Sequence, residues 1–309
     1  HWLRRVLRRV GAVLRLICLS IPDTHINFIR PQSLIQHISE WDAQAPGDEW
    51  KWIITTGDIS NCYDELNRDG CLDGVRWGLQ MLPKWLHRRV RDRFSVNRFN
   101  RKDCQFGSCY DGENRIEITA DQVLDVCKFD CTNSIMLVGG KIRRRLLGAP
   151  MGGFLSAFYA MLAFACIEYR CLAPLFRKIG LPGGQKRYLD DLLVVVAYKT
   201  DSQKQKAMTY IEQLQGTAIY PPPLCLNVEP IGDQEFLETI ISGGSRLTMK
   251  LLNKVFADQV ADRRPYRQRL TDTQHRSTSD SVSLIQGILL RGTQFAYATE
   301  RLVETLLEV

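Results

Sequence analysis

Apolar positions in the first twenty residues recur at helical spacing: Trp2, Leu3, Val6, Leu7, Val10, Val13, Leu14 and Ile17, with arginines between them. That pattern predicts a helix with one buried face and one basic face. Residues 32–41 carry a second, shorter helical pattern. The character changes at Trp50 to Ile59 (WKWIITTGDI), an aromatic and β-branched run that predicts a buried strand ending at Asp58. A helical, basic stretch follows from about 65 to 93. Residues 94–121 are polar, contain glycine and show no period; they open an insertion taken to span 94–134. Ile135 to Leu147 predicts two strands turning at Gly139-Gly140. A loop, Gly148 to Gly153, leads into Phe154–Ile167, which is apolar on all sides. That run reads as a buried core helix, too short to span a bilayer. Arg187 to Ala197 (RYLDDLLVVVA) predicts a tight hairpin with two aspartates between apolar arms. Pro221-Pro222-Pro223 breaks the chain, and Phe236 to Ile241 predicts a short strand. Beyond Met249 the pattern is helical and basic. No internal repeat is visible. Mixed strands and helices imply an α+β fold with a helical appendage.

Composition narrows the picture. Hydrophobic residues make up 45% of the 309, enough for a real core. The net charge of +7 is clustered: Arg4, Arg5, Arg8 and Arg9; Arg88, Arg89, Arg91 and Arg93; Lys141, Arg143, Arg144 and Arg145; Arg263, Arg264, Arg267 and Arg269. Such stripes attract polyanions, of which nucleic acid is the commonest, although any one of them also reads as a solvated face. The ten cysteines are irregularly spaced and read as reduced thiols of an intracellular protein. Cys104 and Cys109 with Cys127 and Cys131 offer two pairs to a zinc ion. Their spacing is looser than a Cys-x₂-Cys knuckle, which favours buried thiols over zinc. His25, His37, His87 and His275 have no partner spacing that suggests a triad or a metal site. The chain opens on His1, as a fragment or processed product does. A basic region before an apolar stretch mimics a signal peptide and Arg15 interrupts that stretch, but a fragment has no true N-terminus to judge, so the segment is assigned neither way.

Three segments carry chemistry: Asp58-Ile-Ser-Asn-Cys-Tyr63, Gly148-Ala-Pro-Met-Gly-Gly-Phe-Leu-Ser156, and Tyr188-Leu-Asp190-Asp191. Taken singly, each has a plain structural reading. Asp190-Asp191 suits an Asx-type turn, Asp58 a strand end or N-cap, and the glycines a strand-to-helix turn. Taken together, they suit phosphoryl transfer, which needs positioning and charge neutralisation more than covalent help. Two Mg²⁺ ions about 3.5–4 Å apart provide that. Mg²⁺ prefers oxygen ligands, so carboxylates from two elements must converge.

In this order the three segments resemble motifs A, B′ and C of the reverse transcriptase family. The resemblance implies a right-hand fold with palm, fingers and thumb. Residues 1–49 would be partial fingers, 50–245 the palm and 246–309 a thumb-like helical region. It implies that Asp58, Asp190 and Asp191 are catalytic. Asp58, Asp190 and the carbonyl of Ile59 would bind two Mg²⁺, with Mn²⁺ able to substitute. Tyr63, Met151 and Gly152 would face the nucleotide. Gly148, Pro150, Ser156, Arg187, Phe236 and Leu237 would face template and primer. Tyr63 is the aromatic that, in this family, packs under the sugar and excludes a 2′-hydroxyl, which selects dNTPs. Met151 stands where many relatives have Gln.

Leu226-Asn227 resembles part of motif D, but Glu229-Pro230 follows where the family often has a lysine general acid. That leaves the proton donor unassigned. Phe236-Leu237-Glu238 resembles motif E, which grips the primer end. Arg187 before Tyr-x-Asp-Asp is similar to telomerase-like and Penelope-like enzymes, as is the run through Asn253-Lys254 and His275 to Arg291 after Gly287. The implied activity is RNA-directed DNA polymerisation, with an RNA template, a DNA or RNA primer and dNTPs as partners and no membrane. The implied setting is a mobile element in an intracellular, nuclear location. The rival is a non-catalytic RNA-binding scaffold, favoured by the missing lysine and partial fingers. An RNA-synthesising polymerase is the third option, and Tyr63 argues against it.

Overall fold

A computed structural model describes residues 2–251, except 23, 28–32, 61, 88–91, 101–102, 109–113, 139, 146–147, 150–152 and 238. The basic amphipathic stretch forms α1 (Trp2–Leu19), with Val10, Val13, Leu14 and Ile17 buried. Then come α2 (Ser33–Gln44), β1 (Lys51–Ser60), the single turn α3 (Cys62–Glu65) and α4 (Arg68–Trp85). The helix expected to reach 93 stops at Trp85. Pro83 removes a backbone donor in its last turn, and His87 takes a left-handed φ of 48°.

The segment read as an insertion or long loop contains regular structure. β2 (Arg93–Asn97), β3 (Cys104–Phe106) and β4 (Arg115–Thr119) form an antiparallel sheet in the order β3-β2-β4. α5 (Ala120–Thr132) starts at a capping box, in which Thr119 and Gln122 satisfy each other's backbone N–H. Cys127 and Cys131 therefore lie on a helix, where they are buried. Cys104 is on β3, and Cys109 lies outside the described residues.

β5 (Ile135–Val138) and β6 (Lys141–Arg144) make the expected hairpin, with Gly140 at φ 73°. α6 (Ser156–Ile167) continues through a π-turn (Glu168–Leu172) into α7 (Ala173–Ile179). The apolar run is thus longer than expected, and Ser156–Ile179 could cross a membrane by length and composition alone. Here it is a core helix: Tyr159 to Cys166 are all buried, and α6 packs on α1 and α4. At the α4–α6 contact a Cβ on Gly74 would lie 2.4 Å from the Ala163 nitrogen, so only glycine permits this approach.

β7 (Gly183–Tyr188), β8 (Asp191–Tyr198), α8 (Asp201–Leu214) and β9 (Cys225–Val228) follow. The single strand expected at Phe236–Ile241 is two strands, β10 (Gln234–Phe236) and β11 (Thr239–Gly243), because Leu237 turns the chain at φ 50°. β12 (Leu247–Leu251) occupies the start of the region expected to be helical. The thumb-like stretch from 252, with its arginines and His275, lies outside the described residues.

The central antiparallel sheet has the order β7-β8-β1-β9. Both its faces are covered. Ile53, Leu192, Val194 and Val196 join the core built on α1, α4 and α6. Trp52, Ile54, Leu193, Val195 and Ala197 pack with Leu34, Ile38 and Trp41 of α2 and with Phe236, Ile241 and Met249 of the β10-β11-β12 sheet. A strand buried on both faces needs an unbroken apolar run, which Leu192 to Ala197 provides.

Candidate active site

β1 and β8 run antiparallel with Asp58 directly opposite Asp191, and on its other side Asp58 faces Asn227 of β9. β7 and β8 close on Tyr188 opposite Asp191, leaving Leu189 and Asp190 as the turn. A two-residue hairpin loop needs positive φ, and Leu189 takes it at 55°. The Ile59 amide donates to the Asp190 carbonyl at 3.1 Å. The end of β1 and the hairpin turn are thereby stitched together, with all three aspartates at one end of the sheet's two central strands. The Cys62 thiol lies 4.0 Å from Asp190 Oδ2.

These carboxylates oppose one another. Burial, then the charges of Asp190 and Glu229, pushes Asp58 above the usual carboxylate range. Burial, then Asp190 and Asp58, pushes Asp191 up to about 6. Among the described residues none of the three forms an ion pair. No three His, Cys, Asp or Glu side chains among the described residues form a metal cage by themselves. The donor set nevertheless suits Mg²⁺, which typically takes one or two carboxylates and fills its shell with water and substrate phosphates.

The raised carboxylates fix a sign. An acid whose folded pKa exceeds its unfolded value takes up its proton first in the folded state. Its stabilising contribution is therefore full below about 3.8 and is lost as pH rises through about 6. His25 acts oppositely. Burial and then the charges of Arg187 and Lys186 hold it down at about 3, so it erodes stability as pH falls below its ordinary 6.5. Comparing Asp191→Asn with wild type isolates the first contribution. In urea denaturation without divalent cations, the variant's gain in stability over wild type is expected to be larger at pH 7 than at pH 5.

Tyr63 is half-buried on α3 against the main core, its hydroxyl pushed up by burial and by nearby groups including Asp190. The Tyr63 carbonyl accepts the Ala149 amide at 2.7 Å. Gly148 sits at φ 73°, where a Cβ would lie 2.3 Å from the Asp64 carbonyl oxygen. The loop after β6 is thus clamped on the turn that follows Asp58. Asp64 also pairs with Arg145, whose carbonyl accepts from Arg68. Gly148→Ala meets backbone on both counts and is expected to cost about 2–4 kcal/mol in urea denaturation.

An open groove of about 580 Å³ leads from Asp58 and Asp191 past Glu229, Gln234 and Glu235 to Phe236 and Leu237. Leu237 lines it. Phe236 borders it but is 2% exposed and belongs to the second core, and Ser156 is equally buried at the start of α6. Phe236 therefore meets the groove only through a small part of its surface, and Ser156 is not among the residues that line it.

Arg187 is the clear correction. It is fully buried, ion-paired with Glu168, and gives its remaining donors to Asn27 and the Leu189 carbonyl. It has no surface to offer a nucleic acid. Pro150, Met151 and Gly152 lie outside the described residues. Sequence reasoning missed Glu168, Asn27 and Tyr220 behind the hairpin. The one available signal was a lone acid, Glu168, closing the apolar run of α6.

No protein-family profile matches the sequence, and no curated protein matches it. Solved structures do match in fold. Telomerase from Candida albicans, in complex with the TWJ fragment of telomeric RNA, has a TM-score of 0.55 at 15% identity, over 79% of this chain and 39% of its own. Apo telomerase from Candida tropicalis has a TM-score of 0.54 at 13% identity, over 79% and 40%. Telomerase from Candida tropicalis with the TWJ fragment has 0.56 at 14%, over 78% and 37%. The chain therefore spans about two fifths of the length of these telomerases and shares an α+β fold with them.

Proposed function

We propose that this chain is the catalytic core of a reverse transcriptase, an RNA-directed DNA polymerase that extends a primer with dNTPs. One observation carries the reading: Asp58, Asp190 and Asp191, from two sequence-distant motifs, meet at one end of the two central strands beside an open groove, with no ion pair to any of them among the described residues. Asp58, Asp190 and the Ile59 carbonyl would hold two Mg²⁺, with Mn²⁺ as substitute, and Asp191 would support them. The bound ions supply neutralisation of charge on the attacking and leaving oxygens.

The groove towards Leu237 is, in this reading, the path for the primer end, Tyr63 faces the nucleotide, and Met151 and Gly152 are assigned to the nucleotide by the family likeness alone. In this reading 50–245 is the palm, 1–49 contributes fingers and 246–309 the thumb. The telomerase structures bound to telomeric RNA support an RNA partner. A mobile-element origin and a nuclear location follow from the same family likeness.

Glu229, standing in the groove where a lysine general acid is usual, favours a second reading, an RNA-binding scaffold without catalysis. Primer extension on an RNA template with dNTPs and Mg²⁺ separates the two. Extension by the wild-type chain is expected. Salt-sensitive RNA binding without extension would identify the scaffold.

A further inference from the structure

Behind the Leu189–Asp190 turn lies a buried polar node that no step of the proposed reaction uses. Arg187 is its centre. Its Nη2 donates to Asn27 Oδ1 at 2.9 Å and to Glu168 Oε2 at 3.2 Å, its Nε to Glu168 Oε1, and its Nη1 to the Leu189 carbonyl. Its backbone amide donates to the Ile26 carbonyl at 2.8 Å. Glu168, also fully buried, opens the π-turn after α6 and accepts the Tyr220 hydroxyl at 2.9 Å. The Phe164 ring lies 5.2 Å from the guanidinium. Segments around 27, 164–168 and 220 thus converge on one side chain.

Stability alone does not explain such a node. Desolvation offsets most of the attraction in a buried ion pair, and apolar residues of similar volume often serve as well. What an apolar residue cannot do is donate to the Leu189 carbonyl, which immediately precedes Asp190. Leu189 is held at positive φ, a conformation a bulky side chain avoids without an external constraint.

We propose that Arg187, anchored by Glu168, Asn27 and Tyr220, is a positioning residue that fixes the Leu189–Asp190 peptide and so aims the Asp190 carboxylate at Asp58. The consequence for catalysis rests on the polymerase reading; the consequence for the turn does not.

The test is Arg187→Lys beside the paired apolar replacement Arg187→Met/Glu168→Met. Lysine keeps the charge for Glu168 but cannot span the fork. The double variant leaves no charge unpaired and guards against a single variant that fails to fold. Three quantities are read: melting temperature, hydrogen exchange at residues 188–191, and kcat and KM for dNTP. Both variants are expected to stay folded but to melt lower, since Asn27 and, in the double variant, Tyr220 lose buried partners. They are expected to gain about tenfold more exchange at the turn than elsewhere, and to lose about 10- to 100-fold in kcat with KM unchanged. Unchanged exchange at the turn, or exchange raised evenly across the molecule, overturns the proposal. So does wild-type kcat in the double variant. A wild-type chain that never extends a primer defeats the polymerase reading instead, and the exchange measurement still decides the role of Arg187.

Discussion

Asp190→Asn is expected to lower Mg²⁺-dependent primer extension by about 10³-fold or more, while the melting temperature without metal holds or rises. The two directions share one cause. Asp190 raises the proton affinity of both Asp58 and Asp191 through like-charge repulsion. An amide removes that repulsion, so the metal-free fold loses nothing. It keeps the turn geometry too, because the Ile59 amide bonds the Asp190 backbone carbonyl and not its side chain. The same amide is a poor ligand for Mg²⁺, which favours charged oxygen. Extension and thermal melting on one preparation check both halves. Extension that survives the substitution would remove Asp190 from the metal site, and a collapse in melting temperature would make it a structural turn residue.

The parts of this arrangement that were legible in the sequence are those where burial dictates residue type. The hairpin around Asp190 could be read because β8 is buried on both faces and must be continuously apolar. β1 could be read from its aromatic and β-branched residues, Trp52, Ile53, Ile54, Thr55 and Thr56. The pairing of Asp58 with Asp191 was open only to family likeness, since register depends on contacts remote in sequence.

The elements inside the 94–134 region were not legible for a definable reason. Its strands are three to five residues long and partly exposed, so no period has room to develop. The usable signal was Thr119-x-x-Gln122, a capping box that announces α5. Arg187 was read as a nucleic-acid contact because a basic residue beside a run that resembles a polymerase motif invites that reading. Only the fold brings Glu168, nineteen positions away, against it. The buried acid and the buried base each look anomalous alone and become intelligible as a pair.

Tyr63→Ala is expected to lower the preference for dNTP over rNTP, taken as the ratio of kcat/KM values, by about 10²-fold or more. Tyr63→Phe is expected to leave it nearly unchanged. The argument concerns the ring and not the hydroxyl. A face of carbon beside the sugar gives a 2′-hydroxyl no partner, and a buried hydroxyl without a partner costs binding. Alanine opens space in which the hydroxyl stays hydrated.

Tyr63 also packs against the main core, so its truncation lowers stability as any large-to-small change there does. Overall activity therefore cannot separate the two roles, because a smaller folded fraction lowers it whatever the ring does. The ratio of two substrates on one preparation can, since the folded fraction cancels. A ratio that falls in Tyr63→Ala and holds in Tyr63→Phe assigns the ring to sugar selection. A ratio unchanged in both returns Tyr63 to the core and reopens the RNA-synthesising reading, for then nothing else now identified beside Asp58 would discriminate ribose from deoxyribose.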